Sequence, residues 1–344
     1  MDRPAGKISF TPERCPWRAC ARHARPQPRF FVRFGSYRPD CSPHRIPRFR
    51  CKSCRRTFSS QTFRVEYRLR KPGIDEKVLR DLVSGVSLRQ SARTLGVSRG
   101  TVEDRLVRFG RHFLQARENV LRGWEPRGNF QFDEIETFEH HRTLMPLTVG
   151  LLVAGGSGFL VETAVGRMRS RGSSSEKSRE RRRAFEEKEG RRPNESREVV
   201  RRCLGRLAKA AGWELVTDRK PLYGRVLRGL FEGRGPGGVH WAVTSRGAKG
   251  PRSPLFGVNH MAAKVRYGMS RLIRRSWCAS KKRERLALHL AIYWAWHNGW
   301  MWKTNKVRRT PGMEEGMWGR RLRLGELLGW RQDWGALSRR LDAA

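Results

Sequence analysis

Acid is what this sequence has least of. It sets 32 Asp and Glu against 74 Lys and Arg, a formal net charge of +42 over 344 residues. An excess of that size goes beyond what solubility needs and draws polyanions from a distance, so nucleic acid is the default partner. Between residues 233 and 283 there is no Asp or Glu at all. Long apolar runs are missing too. The opening "MDRPAGKISFTPERC" lacks the apolar stretch of a secretory leader, and the one extended run, residues 144–161, is broken by "AGGSG". These features argue against a leader and a membrane span, and predict a β-hairpin of two buried strands over 144–161. The expected location is therefore the cytoplasm. Cysteines are few and lopsided: of seven, Cys15, Cys20, Cys41, Cys51 and Cys54 precede residue 55. Without a leader, that clustering points to metal rather than disulfides.

The positive charge is not confined to one tail. It dominates residues 1–72 and returns at "RSRGSSSEKSRERRR" and "SRLIRRSWCASKKRER". Charge spread in this way suggests several modules touching one long anion. The length itself fits two or three domains.

In "RFRCKSCRRTFSS", Cys51 and Cys54 form C-x2-C, a spacing that lets a tight turn aim two thiolates at one tetrahedral ion. "CPWRAC" supplies Cys15 and Cys20, with Pro16 shaping the turn. Together they predict a four-thiolate zinc ribbon over residues 10–65, folded by its metal because the segment has little apolar mass. About thirty residues separate the two pairs, so Cys41, His23 and His44 remain substitute ligands. Zinc here is structural, and the surrounding arginines would meet phosphates.

After "KPG" the pattern turns helical. Ile74, Val78, Leu79, Leu82 and Val83 share one face, and Gly85 ends the run. "SLRQSARTLGVSRGTVEDRLVRF" then reads as a helix from about Ser87, a turn at Gly96 and a helix capped by Ser98. That is the pattern of a helix-turn-helix over 73–122, with Ala92 at the helix crossing and Val97, Val102 and Leu106 packed inward. Arg99, Thr101 and Arg105 would face the major groove.

From Asn129, "NFQFDEIETFEHHRTLMPLTVGLLVAGGSGFLVETAVGRM" alternates and is rich in β-branched and aromatic residues, as three strands would be. Asp133 stands in the first, followed by Glu134, with Glu136 and Glu139 nearby. In a chain so poor in acid, this cluster needs a reason. A second strand in "WELVTDRKPLYGRVL" ends on Asp218. Two aspartates at neighbouring strand ends can hold Mg2+ or Mn2+ for attack on a phosphodiester. Residues 169–194 are dense in mixed charge and read as a mobile insertion before a helix. Cys203, Cys278 and the cluster Trp294, Trp296, Trp300 and Trp302 read as packing residues. His240, at a strand end, could sit near a phosphate.

The succession of cysteine module, helix-turn-helix, "DEIETFE", "TDRKPLYGRVL" and "VRYGMSRLIRRSWCASKK" resembles bacterial insertion-sequence transposases with a DDE catalytic domain. The tail "RRTPGMEEGMW" also resembles endings common among transposases. The resemblance implies a multidomain protein whose third part, over 128–310, is an α/β ribonuclease H-like domain with a mixed five-stranded sheet, followed by an extension over 311–344. It implies binding to the element's ends and to target DNA, cutting and joining without a covalent enzyme intermediate, a homo-oligomer, and residence at the bacterial nucleoid. The family's first two acids fall on Asp133 and Asp218, and its basic helix brings Arg266, Arg271, Arg274 and Arg275 to DNA. Its third acid falls on Asn259, an amide that can touch a metal but brings no charge. Glu284 is the alternative third acid, and a catalytically inactive DNA-binding derivative is the alternative protein.

Overall fold

The computed structural model describes residues 10–17, 19–38, 45–170, 175–232, 237–244, 250–273 and 280–330. The chain divides into two compact units, Met1–Gly73 with Leu328–Ala344, and Ile74–Leu327.

In the first unit a single-turn helix, α1 (Ala21–Ala24), precedes three strands, β1 (Phe31–Tyr37), β2 (Ile46–Cys51) and β3 (Thr57–Ser59). They form an antiparallel sheet in the order β1-β2-β3. Its core is aromatic: Phe30, Phe49, Phe58 and Phe63 pack around Cys15, Cys20 and Cys51, with Phe10, Trp17 and Phe31 against them. Phe30 and Phe58 stack nearly parallel, and Phe31 meets Phe49 edge-on at 5.2 Å. This core is larger than the segment's few aliphatic residues suggest, because a handful of large rings supplies most of the apolar area.

The second unit opens with α2 (Asp75–Leu82), α3 (Leu88–Thr94) and the long α4 (Arg99–Val120). Asp75 and Glu76 lie in the first turn of α2, where acid favours the helix dipole, and Val78, Leu79 and Leu82 are buried. Ser87 caps α3 through a reciprocal pair with Gln90, and Ser98 caps α4 by accepting from the Thr101 backbone. Gly96, at φ +61°, makes the turn between them.

A five-stranded sheet follows: β4 (Gly128–Phe138), β5 (Pro146–Ala154), β6 (Leu160–Arg167), β7 (Trp213–Asp218) and β8 (Gly238–Val243), in the order β6-β5-β4-β7-β8. The first three strands are antiparallel neighbours, whereas β7 runs parallel to both β4 and β8. All nine residues of β5 are buried, as its continuous apolar run requires of a strand covered on both faces. The expected hairpin over 144–161 is β5 and the start of β6.

Between β6 and β7 come α5 (Glu176–Glu189) and α6 (Ser196–Leu204); α7 (Pro221–Phe231) follows β7; α8 (Phe256–Gly268) and α9 (Arg283–Gly299) follow β8. The charged segment expected to be a mobile insertion contains α5, a helix of 14 residues with none buried. Its i,i+3 pair Glu176–Arg179 at 2.8 Å shows how mixed charge supports a solvated helix. Helix α9 crosses α4 at Gly110, where a Cβ would come within 2.5 Å of Leu288, so only glycine allows the approach. Trp294 is buried against Phe159, in line with the packing role expected of it, while Trp300 and Trp302 flank the guanidinium of Arg321 at 4.0 and 4.2 Å.

One feature of this core has no sequence signal. Glu162 of β6 is fully buried and pairs with Arg117 of α4 at 2.7 Å and with Arg206 at 2.6 Å. With Glu118, which pairs with both arginines, they form a cluster of two carboxylates and two guanidiniums that ties the long helix to the sheet. Removing one partner from such a group leaves the others uncompensated in low dielectric.

Candidate functional site

The cysteines build one cluster from two turns. In the first, the Cys20 backbone N–H donates to Trp17 at 2.9 Å and that of His23 to Cys20 at 2.8 Å. In the second, Arg55 N–H returns to the Cys51 carbonyl at 3.0 Å, with Arg55 itself at φ +60°. The sulfurs of Cys15, Cys20, Cys51 and Cys54 lie within 4.8 Å of one another, with Cys15 to Cys54 at 3.7 Å and Cys20 to Cys51 at 3.8 Å. Four thiols at such spacing could hold one tetrahedral zinc ion. Burial pushes the Cys15 and Cys54 thiols up. For Cys20 burial acts in the same sense, but the Arg22 backbone and the neighbouring thiols outweigh it and bring it down to about 7. Crowded thiols that resist ionising together gain most from a cation among them. The converging group consists of the four cysteines without His23, whose Nδ1 donates to the Cys15 carbonyl at 2.7 Å. Cys41 and His44 lie outside the described residues.

The second cluster is acidic and lies on the sheet. Phe132 of β4 pairs with Thr217 of the parallel β7, so the next residues, Asp133 and Asp218, stand side by side where β7 ends. Asp133 is pushed up to about 6, mainly by burial and further by the charges of Asp218 and Glu134, although its carboxylate accepts the Glu134 backbone N–H at 2.7 Å. Asp218 accepts the Lys220 backbone N–H at 3.0 Å, which turns the chain into α7 with Pro221 in its first turn.

Three side chains to which the sequence pattern assigned no role surround this pair. Glu134 is almost wholly buried, accepts from the Thr148 hydroxyl at 2.6 Å and the Tyr223 hydroxyl at 3.0 Å, and pairs with the Lys220 ammonium. Burial, and then the charges of Glu134, Asp133 and Asp218, hold the Tyr223 hydroxyl well above its ordinary value. The available signal was spacing: in "TDRKPLYG", Lys220 and Tyr223 lie two and five residues past Asp218, on the first turn of a helix leaving that strand. His240 donates to or accepts from the Thr217 hydroxyl at 2.8 Å, and burial lowers its pKa.

The two candidates for a third acid fall in different places. Asn259 is exposed in the first turn of α8. Gln131 of β4 fixes the start of that helix by accepting the Val258 N–H at 2.9 Å, and Gln131 shares a strand face with Asp133. Glu284 is exposed and accepts from Arg283 at 3.2 Å. The Arg283 backbone donates to Glu139, beyond the end of β4, and Arg167, at the end of the edge strand β6, is among the charges acting on Glu284. Arg167 pairs with Leu147 and Leu147 with Thr137, four residues past Asp133, which is about 13 Å along the strand at about 3.3 Å per residue. The structure does not bring Glu284 to the aspartates. Among the described residues, only the cysteines converge as a group of three or more metal-ligating His, Cys, Asp or Glu side chains.

Of the residues expected to meet DNA, Arg99 is exposed and spans to Glu103 at 3.5 Å, and Thr101 hydrogen-bonds the capping Ser98. Arg105 differs from expectation. It is buried and ion-paired with Asp75 at 3.0 Å. Three residues from Val102 and four from Phe109, it shares the apolar face of α4 and faces α2 rather than solvent. Arg266 and Arg271 are half-buried. Arg274, Arg275 and Cys278 lie outside the described residues.

No protein-family model matches the chain. Among curated proteins it is similar to the insertion element iso-IS1N protein InsA of Shigella dysenteriae, with 38% identity over 66 residues that span 70% of that protein. The chain belongs to the insertion-element InsA family. That kinship covers 19% of the chain. Among the described residues, no helix is long and apolar enough to cross a membrane.

Proposed function

We propose that this protein is an insertion-sequence transposase of DDE type, with a ribonuclease H-like sheet carrying the chemistry. The cysteine cluster holds a structural zinc ion, and its unit, together with α3 and α4, binds the element's ends. The protein acts as a homo-oligomer on DNA of the bacterial nucleoid, in the cytoplasm. The observation that carries the catalytic part is the placing of Asp133 and Asp218 side by side at the end of β7, with Asp133 pushed up to about 6 by burial and by its neighbours. Carboxylates pressed together in that way favour a shared divalent ion.

Asp133 and Asp218 would hold Mg2+ or Mn2+. An ion there supplies the charge that readies a water or a 3′-hydroxyl and steadies the leaving oxygen of a phosphodiester. The chain's own part is orientation. Lys220 fixes Asp218 through its backbone and Glu134 through its ammonium, and Tyr223 holds Glu134 from α7. Asn259, at the start of α8, offers an amide oxygen in place of the third acid.

The experiment is strand cleavage on end-containing DNA with Mg2+ or Mn2+. Wild type should cut, Asp218→Ala should not, Asn259→Ala should be weakened, and Glu284→Ala should be unchanged. The neutral Asn259 favours one second reading, a catalytically inactive DNA-binding protein derived from such an element. Specific end binding by wild type without cutting would decide for it.

A further inference from the structure

The stretch after the second cysteine pair, "RRTFSSQTFRVEYRLRK", carries six basic residues and a single acid, Glu66. It leaves β3 through the tight turn Ser60–Phe63, which Ser59 and Thr62 close with reciprocal hydrogen bonds. The chain then lines a groove of about 990 Å3, together with Trp17 from the first cysteine turn and Tyr37 from β1. Arg55, Arg56, Arg64 and Arg68 are exposed along it, and Arg48 is half-buried. Glu66, the one carboxylate in the lining, is already paired with Arg64 at 2.9 Å.

The rings and cations are interleaved. The Arg56 guanidinium lies 5.4 Å from the Trp17 ring and that of Arg68 lies 5.3 Å from Tyr67. The Tyr37 hydroxyl is held by Ser59 at 3.1 Å and Gln61 at 2.9 Å, which fixes its ring in the wall. Arginines set against aromatic faces keep N–H donors free for phosphate, and the rings offer surfaces on which bases stack without sequence preference. A duplex presents a convex cylinder with its bases already stacked inside. A concave basic groove with aromatic walls suits a strand whose bases are unpaired.

We propose that this groove binds a short unpaired segment of DNA, such as a frayed or nicked end. The proposal rests on the DNA-binding reading above and adds the form of DNA that the cysteine unit takes. Its test is fluorescence anisotropy of the full, zinc-loaded chain with a labelled oligothymidylate and with a labelled blunt duplex. Tyr67→Ala should weaken the single strand by about tenfold or more, as loss of one stacking surface does, and leave the duplex within about twofold. Arg56→Gln with Arg64→Gln, both exposed and so harmless to folding, should flatten the salt dependence for the single strand by about 0.7 in slope for each phosphate no longer neutralised. The thiolate-to-cobalt absorption of Co2+-loaded variants reports that the cysteine unit is intact. Unchanged single-strand binding in both variants, equal losses on strand and duplex, or tighter binding of oligouridylate than oligothymidylate would overturn the groove proposal while wild-type duplex binding stands. A wild type that binds neither form would sink the DNA reading itself.

Discussion

The two compact units hold together by different means. In the first, three of the four converging cysteines belong to the buried core itself, so the groups that would hold a metal are also the groups that Phe30, Phe49, Phe58 and Phe63 pack on. In the second, the core is a sheet covered by helices, closed by the Glu162 ion cluster and by buried histidines, and its acidic site lies beside that core rather than inside it. A unit whose ligands are its core should be lost with its ion. A unit whose site lies at a strand end should keep its fold without one, and be sensitive to proton balance instead.

The sharpest break between the two is metal removal. Structural zinc contributes about 10–16 kcal/mol in small thiolate domains, more than a three-stranded sheet can replace. Chelation, or Cys51→Ser, should unfold the first unit and leave the second native. In NMR spectra the dispersed signals of residues 10–65 should collapse while those of the β5 amides stay in place. Retention of the first unit after zinc is shown to be gone would mean that its aromatic core suffices.

Acid should weaken the second unit through its buried histidines. His112, His289 and His297 are buried, and burial lowers them to about 4, 3 and 3 respectively from an ordinary 6.5. Each donates its Nε2–H to one backbone carbonyl, those of Leu327, Leu82 and Gly158. Because the folded values are depressed, the unfolded chain binds protons first. The stability is complete above about pH 6.5 and is lost as pH falls toward the folded values. By roughly pH 5 each histidine should have given up about 2 kcal/mol. Thermal melts of the second unit between pH 7.5 and 5 measure this, and a flat melting temperature across that range would refute it.

How much of this was legible beforehand differs between the units for a physical reason. The cysteine spacing, the capping serines at 87 and 98, Gly96 and the broken apolar run of the β5–β6 hairpin all act within a few residues, and the sequence announces them. Asp133 and Asp218 were legible because each ends or interrupts an apolar strand in a chain short of acid. Their adjacency, though, is a register between strands about eighty residues apart, which no local pattern carries. The burial of Arg105 was written in its spacing from Val102 and Phe109, but its charge argued for the surface, and only the partner Asp75 decides the contest. The Glu162 cluster was not legible at all, since it joins elements distant in sequence, and of the anchors of Glu134 only the spacing of Lys220 and Tyr223 behind Asp218 gave a signal. The groove beside the cysteines falls between these cases: its arginines were plain, its concavity was not.

The finest distinction concerns Asp133, whose protons behave oppositely to those of the histidines. Its folded carboxyl, pushed up to about 6 by burial and by Asp218 and Glu134, holds a proton more tightly than the unfolded one at 3.8. The folded state therefore binds the proton first, and ionisation of Asp133 opposes folding in full above about pH 6, the cost fading as pH falls from 6 toward 3.8. Asp133→Asn should accordingly raise the melting temperature of the second unit at pH 7.5, by about 1 kcal/mol of stability once solvent screening is allowed for, should gain about half as much at pH 5, and should gain nothing below about pH 3.8. Added Mg2+ should stabilise wild type and leave the variant where it was, because the charge that the ion would balance is gone. A replacement that stabilises the fold while abolishing both the Mg2+ response and cleavage marks strain kept for function. If Asp133→Asn instead lowered the melting temperature at pH 7.5, the carboxylate would be a structural partner, and the contrast between a unit built around its ligands and a unit that carries its site at a strand end would fail.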